Sequence, residues 1–347
     1  MIGDKQSQSV GDGSSGTQIN GNVTINSLCD IEKVMSLVRS EVEGYMRLHR
    51  EIVHERMDHF EDKIFKKFSN NEHANTNAFS DPDFAHTVQN AAKSYARSGD
   101  ESVADTLVDL IARRSKCLER NRLALSLNQA VEVAGDLGIE EFSALSFIMA
   151  MRYSSLPAAS PAGFLETFKK HIVPLIENLP KSRSCAQYLI ARRCGYNGVS
   201  HWEISNWSGV YRNIFTDGIS EDEYEGFSDG FRDVATKENV VVRSAFDASR
   251  IVFNLKDRFR FVEFLEEYNF SPEEKERAIN YYDGRLWNAE NFITNVREKV
   301  PDLLAAINVW ETADLNYLEL TTLGLAVGHG YLRHLTGLDA DLSIWIQ

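Results

Sequence analysis

The chain has 347 residues, of which 43% are hydrophobic and 10% aromatic, and its formal net charge is −14. This composition predicts a sizeable buried core and excludes a chain that is disordered throughout. The negative charge disfavours phosphate backbones and anionic membranes as partners, so we expect no nucleic-acid partner. The best basic clusters, residues 113–116 and 192–193, fall at apparent helix ends, where cations complement the helix dipole.

The sequence carries no targeting or membrane signal. Residues 1–27 are polar and lack the charged and apolar regions of a signal peptide. The longest uncharged stretch, residues 320–332, is too short to span a bilayer, so we expect no transmembrane segment. No Cys-x-x-Cys spacing occurs, which predicts reduced, mostly buried thiols and a cytoplasmic protein. The cysteines are Cys29, Cys117, Cys185 and Cys194.

The first 27 residues form a polar tail that differs from the rest of the chain. Within it, residues 17–25 predict a strand, a turn and a second strand. Ile19, Val23 and Ile25 would share one face, and Asn20-Gly21 suits a two-residue turn. A lone hairpin with three apolar side chains is marginal in water, so we expect other copies of the tail to cover it. The predicted oligomerisation residues are Gln18, Ile19, Asn20, Gly21, Val23 and Ile25.

The next part of the chain predicts a series of amphipathic helices. A helical period of apolar residues predicts one long helix over residues 30–68, about 58 Å long at 1.5 Å per residue. A polar loop over residues 70–77 follows. Pro82 then marks a helix start, because a helix tolerates proline at its first position. Further helices are predicted from residue 100 and over residues 119–136, 140–153, 164–179 and 184–193.

The second half is also predicted to be helical. Residues 196–220 lack a clear period and predict a structured connection, and residues 243–268 predict a buried helix. Ser271 and Glu274 predict a capping box. Gly324 and Gly328 lie one turn apart, which indicates close packing of the last helix. The remaining predicted helices cover residues 289–299, 301–312 and 315–335.

These elements predict a mainly α protein with a multi-helix body and a short N-terminal β-hairpin tail. We expect residues 1–27 to be the tail and residues 28–195 to be an N-terminal helical domain. Residues 196–220 would connect it to a C-terminal helical domain over residues 221–347.

Motifs for catalysis or metal binding are weak. Glu51 and His54 have the Glu-x-x-His spacing of di-iron bundles, but no second copy occurs. His54 and His59 are one residue too far apart for the zinc-protease helix motif. No phosphate-binding loop and no nucleophile elbow is present. We therefore expect no metal and no cofactor, and the sequence favours a protein that is not an enzyme.

One spacing keeps an enzymatic alternative open. Arg47 and His54 have the Arg-x6-His spacing of helical (HEPN-like) ribonucleases, which dimerise to build an active site. The helical fold fits this class, whereas the acidic net charge opposes RNA binding. If the chain is an enzyme, Arg47 and His54 are its candidate catalytic residues.

Three stretches resemble an uncharacterised family of bacterial proteins. They are residues 11–25, residues 79–84 followed by 93–100, and the C-terminal residues 323–346, which end in Asp-Leu-Ser-Ile-Trp-Ile. The resemblance covers nearly the whole chain and implies a bacterial, cytoplasmic setting. It implies no activity and no catalytic residue.

The tail has a second resemblance. Residues 17–22 are similar to the Gln-hydrophobic-x-Gly cores of amyloid-type signalling motifs, which join immune sensors to effectors. They depart from the tightest form of these cores in that Asn20 separates Ile19 from Gly21. Stacked Asn and Gln side chains with a β-branched strip suit β-pairing between chains.

Three functional hypotheses follow. The first is a homo-oligomerising interaction protein, a sensor or effector in bacterial antiphage defence, which is assembled through its β-tail. The second is a helical ribonuclease that uses Arg47 and His54. The third is a structural module without catalytic activity. The first is favoured because the hairpin cannot bury its apolar face alone.

Overall fold

The computed structural model describes residues 28–45, 49–69, 74–154, 156, 160–199, 201–338 and 340–347. The described residues are mainly helical, which confirms the predicted mainly α fold class. The tail, its predicted hairpin and its predicted oligomerisation residues lie outside the described residues. Arg47 lies outside them as well.

Helices make up most of the body. The first half contains α1 (Leu28–Tyr45), α2 (Arg50–Phe68), α3 (Pro82–Ser98), α4 (Glu101–Ser115), α5 (Arg122–Ala134), α6 (Ile139–Ile148), α7 (Pro161–His171), α8 (Val173–Ile176) and α9 (Ser184–Ala191). The second half contains α10 (Trp207–Val210), α11 (Glu221–Glu225), α12 (Asp229–Lys237), α13 (Arg258–Glu267), α14 (Pro272–Gly284), α15 (Ala289–Lys299), α16 (Pro301–Thr312) and α17 (Thr322–Thr336).

Short strands and turns link the helices. The strands are β1 (Gly195–Asn197), β2 (Val241–Arg243), β3 (Ile251–Phe253) and β4 (Leu318–Leu320). β1 pairs antiparallel with β4, and β2 pairs antiparallel with β3. A π-helical turn, Met149–Tyr153, follows α6 directly. Single 3₁₀ turns cover Thr76–Ser80, Ile204–Asn206, Leu315–Tyr317 and Leu342–Ile344.

The predicted long helix over residues 30–68 is wrong, because α1 and α2 fold back on each other. Arg39 of α1 hydrogen-bonds both Glu61 and Asp58 of α2, while Glu43 approaches His54, as expected for an antiparallel pair. Folding back buries the apolar stripes of both helices, which a single straight helix would leave apart. The buried side chains are Ile31, Met35, Val38 and Val42 in α1 and Val53, Met57, Phe60, Ile64 and Phe68 in α2.

The last helix packs into the first half of the chain. α17 contacts α4, α5 and α6, and its buried face includes Gly324 and Gly328. A β-carbon on Gly324 would lie 1.9 Å from the carbonyl oxygen of Cys194. The predicted close packing at these glycines is therefore confirmed.

The buried apolar side chains of the described residues fall into two clusters. The larger cluster runs from Ile31 to Phe215 and resumes from Trp287 to Ile346. The smaller cluster lies between Ile219 and Tyr282. The division into two helical domains connected by residues 196–220 stays a prediction. The last helix, α17, packs into the larger cluster.

Two helix predictions in the second half are wrong in part. Residues 243–268 contain β3 and the ten-residue α13 rather than one long helix. The β-branched residues around Val241 and Ile251 favour an extended backbone, and β2 and β3 pair there as an antiparallel hairpin. Residues 315–335 contain a 3₁₀ turn and β4 before α17 begins. The capping box of Ser271 and Glu274 at the start of α14 is confirmed.

Within the part of the chain that the structure describes, no helix has both the length and the apolar character needed to cross a bilayer.

Candidate functional site

A cavity of about 520 Å³ lies between the C-terminal turns of α2 and α17 and the middle of α4. We call it the α2–α4–α17 cleft. Its size falls within the range of about 300–1,000 Å³ that is typical of small-molecule sites. It is lined by Lys63, Lys66, Lys67, Asp105, Val108, Asp109, Arg333, His334 and Gly337.

Asp109 organises the inner part of the cleft. Its side chain is 4% exposed, and its carboxylate accepts hydrogen bonds from Lys67 at 3.1 Å and from Arg333 at 3.1 Å. Arg113, one turn further along α4, donates to the same carboxylate at 3.0 Å. One buried negative charge therefore holds three cations, and these cations repel one another.

Asp105 forms a second ion-pair centre one helical turn before Asp109. Its carboxylate lies 2.5 Å from Lys63 Nζ and 3.2 Å from His334 Nε2. Burial opposes the charge of Lys63, but hydrogen bonds to Asp105 and to Glu101 outweigh it and raise the pKa of Lys63 above its ordinary value. Lys63 therefore stays protonated at neutral pH.

The residues that line the cleft are richer in basic side chains than the chain as a whole. Four of its lining side chains are Lys or Arg and two are Asp, a formal excess of two positive charges with His334 neutral. The net charge of the whole chain is −14. Lys66 is exposed at the cleft, which places one of these cations in contact with solvent.

The structure places the predicted catalytic residue His54 on the exposed side of α2. Its side chain is 56% exposed. Its Nδ1 lies 2.9 Å from Nη1 of Arg39 and 3.2 Å from Oε1 of Glu43. The described partner arginine of His54 is thus Arg39, whereas Arg47 lies outside the described residues.

Carboxylates dominate the surroundings of His54. Arg39 also pairs with Asp58 and Glu61, and His54 approaches Asp58 at 3.9 Å. With Glu43, which approaches His54, three carboxylates surround the pair of Arg39 and His54, so the local charge is negative when His54 is neutral. Such surroundings repel the phosphates of RNA.

Two other histidines, His59 and His329, have packing or ion-pair partners. His59 lies 3.1 Å from Glu101 and packs near Tyr95. His329 is 2% exposed, and its ring lies 5.8 Å from the ring of Trp345. His49, directly before α2, is exposed. Among the described residues, no group of three or more His, Cys, Asp or Glu side chains is arranged to hold a metal ion.

Sequence reasoning missed the cleft, although one local signal was present. Asp109 interrupts the apolar run from Leu107 to Ile111 on a buried helix. A charge inside such a run requires a partner, because burying an unpaired carboxylate is costly. The partner Arg333 is 224 residues away, and nothing in the local sequence indicates it.

Comparison with known proteins places most of the chain in one family. A model of an uncharacterised protein family matches residues 32–346. No curated protein matches the chain significantly, and neither does any solved structure. Because the family model covers far more than half of the 347 residues, the chain belongs to this uncharacterised family.

Proposed function

We propose that the protein is a homo-oligomerising interaction protein whose copies are joined through residues 17–25. The observation that carries the proposal is the pattern of this segment. Ile19, Val23 and Ile25 fall on one face of an extended chain around Asn20-Gly21, within a tail that is otherwise polar.

The energetics favour pairing between copies over an isolated hairpin. Burying three Ile or Val side chains contributes about 1.5–3 kcal/mol each at most. Fixing the backbone of nine residues costs about 1–2 kcal/mol per residue. The cost exceeds the gain within one copy, whereas stacked copies add backbone hydrogen bonds along both edges of each strand and side-chain ladders on its faces.

The position of the tail suits this role. Residues 17–25 precede α1, which packs through Ile31 and Met35 into the larger core cluster. Assembly of the tails would therefore bring several helical bodies close together. We further propose that the assembly acts in the bacterial cytoplasm as a sensor or effector of antiphage defence. The similarity of residues 17–22 to amyloid-type signalling cores supports that role.

Light scattering coupled to size-exclusion chromatography tests the assembly. The full-length chain is expected to elute with a mass of several copies, and a chain that lacks residues 1–27 is expected to elute as a monomer. Circular dichroism of the truncated chain checks that the helical body is intact. Equal monomer masses for both chains would remove the proposal.

A phage challenge tests the biological role. Cells that carry the full gene should survive infection better than cells that carry the truncated gene. Equal survival of both, with oligomers formed by the full-length protein, would reject the defence role and leave the assembly standing.

A helical ribonuclease is the second candidate function. One observation favours it, since His54 is exposed and hydrogen-bonded to an arginine, Arg39. The carboxylates around this pair weaken the case. RNA cleavage that is lost in both Arg47→Ala and His54→Ala would support the ribonuclease, and cleavage that survives both would eliminate it.

A further inference from the structure

We propose that the outer edge of β1 accepts residues 17–25 of a second copy of this chain as an added strand. The inference rests on the proposed function, in which residues 17–25 join the copies, and it names the surface of the helical body that receives them. Strand addition is a common mode of peptide recognition, because the edge of a sheet offers unpaired backbone donors and acceptors.

The hydrogen bonds between β1 and β4 show which backbone groups of β1 face outward. The N–H of Thr321 donates to the carbonyl oxygen of Cys194 at 3.1 Å, and the N–H of Gly198 donates to the carbonyl oxygen of Tyr317 at 2.8 Å. Bonded positions alternate along each strand of an antiparallel pair. Asn197 therefore directs its N–H and its C=O away from β4.

The outward edge of β1 is open within the described part of the chain. No described residue forms a backbone hydrogen bond with Asn197 or with Val199 on this side. Both residues are exposed to solvent, and Val199 is fully exposed. An incoming strand therefore finds accessible backbone donors and acceptors along this edge.

The solvent face of this two-stranded sheet carries aromatic side chains. Tyr196 lies directly opposite Glu319 in the register, and its hydroxyl donates a hydrogen bond to the Glu319 carboxylate at 2.8 Å. Tyr196 is 49% exposed, and Tyr317, which directly precedes β4, is 43% exposed. Aromatic and β-branched side chains pair favourably across neighbouring strands. The Ile and Val side chains of residues 17–25 would supply such partners for Tyr196.

The tail and β1 meet the body at opposite ends of α17. β4, which pairs with β1, ends just before α17 begins. In the last turn of α17, Arg333 bonds to Asp109, which also binds Lys67 in the last turn of α2. Because α1 runs antiparallel to α2 and contacts the 3₁₀ turn that follows α2, Leu28 lies at this end.

The reach of the chain favours a second copy as the donor of the strand. The fifteen residues of α17 span about 22 Å at 1.5 Å per residue. The five residues from Val23 to Leu28 span at most about 18 Å when fully extended. Val23 and Ile25 of the same chain therefore fall short of β1. Donation from one copy to the next is a head-to-tail contact, which builds a ring or an open chain of copies.

Light scattering of the full-length chain tests the acceptor edge. Asn197→Pro removes the outward N–H but leaves the bonds between β1 and β4 in place, because an edge position tolerates proline. The mass of this variant is expected to fall from that of several copies to that of a monomer. Asn197→Ala is the matched control, because it keeps the backbone N–H, and it should form oligomers of unchanged mass.

A second pair of variants changes exposed side chains only. Val199→Lys places a charge at the edge, which is how natural edge strands avoid pairing. It should raise the concentration at which half of the chains are assembled by about tenfold. Leu118→Lys is the matched control, because Leu118 is 84% exposed and lies in the connection between α4 and α5. Its half-assembly concentration should stay within about twofold of that of the unmodified protein.

Photo-crosslinking in the full-length protein locates the acceptor directly. Chains that carry Asn22→benzoylphenylalanine are mixed with heavy-isotope-labelled chains without the substitution, irradiated and digested. Mass spectrometry is expected to find residue 22 of the light chain joined to the peptide of the heavy chain that contains β1. This measurement keeps the test decisive even if Asn197→Pro unfolds the protein.

Two results would overturn the strand addition and leave assembly through residues 17–25 standing. One is a set of crosslinks that join residue 22 only to other tails, or only to β1 of the same chain, while oligomers are present. The other is a mass of Asn197→Pro equal to that of Asn197→Ala. Full-length chains that stay monomeric would instead remove the proposed function, and the strand addition with it.

Discussion

The hydroxyl of Ser146 donates a buried hydrogen bond of 2.8 Å to the carbonyl oxygen of Gly328, which joins α6 to α17 across 182 residues of sequence. At the same contact, a β-carbon on Gly328 would lie 2.7 Å from the carbonyl oxygen of Leu145. The two helices therefore meet at backbone distance. The last helix of the chain is in this way held against the first half of the body.

Gly328→Ala should destabilise the protein by about 1–3 kcal/mol, because the added methyl group meets backbone rather than a flexible side chain. Gly330→Ala is the matched control on the same helix. Its β-carbon would meet the side chain of Leu110 at an ordinary 3.5 Å, so the change should be neutral or stabilise by about 0.5–1 kcal/mol. Urea unfolding measures both variants. Equal stabilities of the two would contradict the close packing of α6 and α17.

Asp109→Asn should destabilise the fold by about 3–5 kcal/mol, because it leaves three cations without their shared buried counter-charge. Asp105→Asn should cost less, since the Asp105 side chain is 23% exposed and water replaces part of the interaction. Thermal and urea unfolding compare the two variants. A cost for Asp109→Asn no larger than that for Asp105→Asn would argue against the central role of Asp109.

Asp83 should make the free energy of unfolding depend on pH under acidic conditions. The hydrogen bond from Arg114 is the main cause that holds the pKa of the Asp83 carboxyl below its ordinary value, and a hydrogen bond from Asn128 adds to it. The ordinary value is about 3.9 in an unfolded chain. Since the folded pKa is the lower one, this stabilisation is present above the unfolded pKa. It is lost as the pH falls through the folded pKa.

Asp83→Asn should therefore flatten the decline of the free energy of unfolding at pH values below about 4. Asp302→Asn is the matched control, because Asp302 also follows a proline in the first turn of a helix and is exposed. Unfolding by urea across this pH range gives the slopes. An unchanged slope in Asp83→Asn would refute the linkage.

The buried thiols should resist alkylation in the native protein. Burial raises the pKa of Cys194 to about 12 and raises the pKa of the Cys185 thiol as well. Because the thiolate is the reactive form, iodoacetamide at pH 8 should modify both only after unfolding. Peptide mass spectrometry with and without urea checks this. Rapid modification of Cys194 in the native protein would contradict its burial.

Local patterns were sufficient to predict much of the fold. The burial of Val53, Met57 and Phe60 follows from their helical spacing, and the cap of α14 follows from Ser271 and Glu274. These signals act over one or two turns, which is the range that a sequence pattern reports directly.

Long-range contacts were beyond such patterns. The helical spacing of the sequence continues between α1 and α2 without a break. The pattern therefore could not show that the two helices fold back on each other. The cleft depends on Arg333 reaching Asp109, and that approach follows from the packing of α17 on α4. The short β2–β3 pair was missed because a few β-branched residues suit either a strand or a buried helix.

The most direct test of the account concerns assembly through residues 17–25. Val23→Asp combined with Ile25→Asp places charges on the apolar face of the segment, and Val10→Asp places one in the tail outside the segment. Light scattering over a range of protein concentrations measures the mass of each. The account predicts oligomers for the unmodified protein and for Val10→Asp, and monomers for the double variant. Oligomers of unchanged mass in the double variant would contradict it.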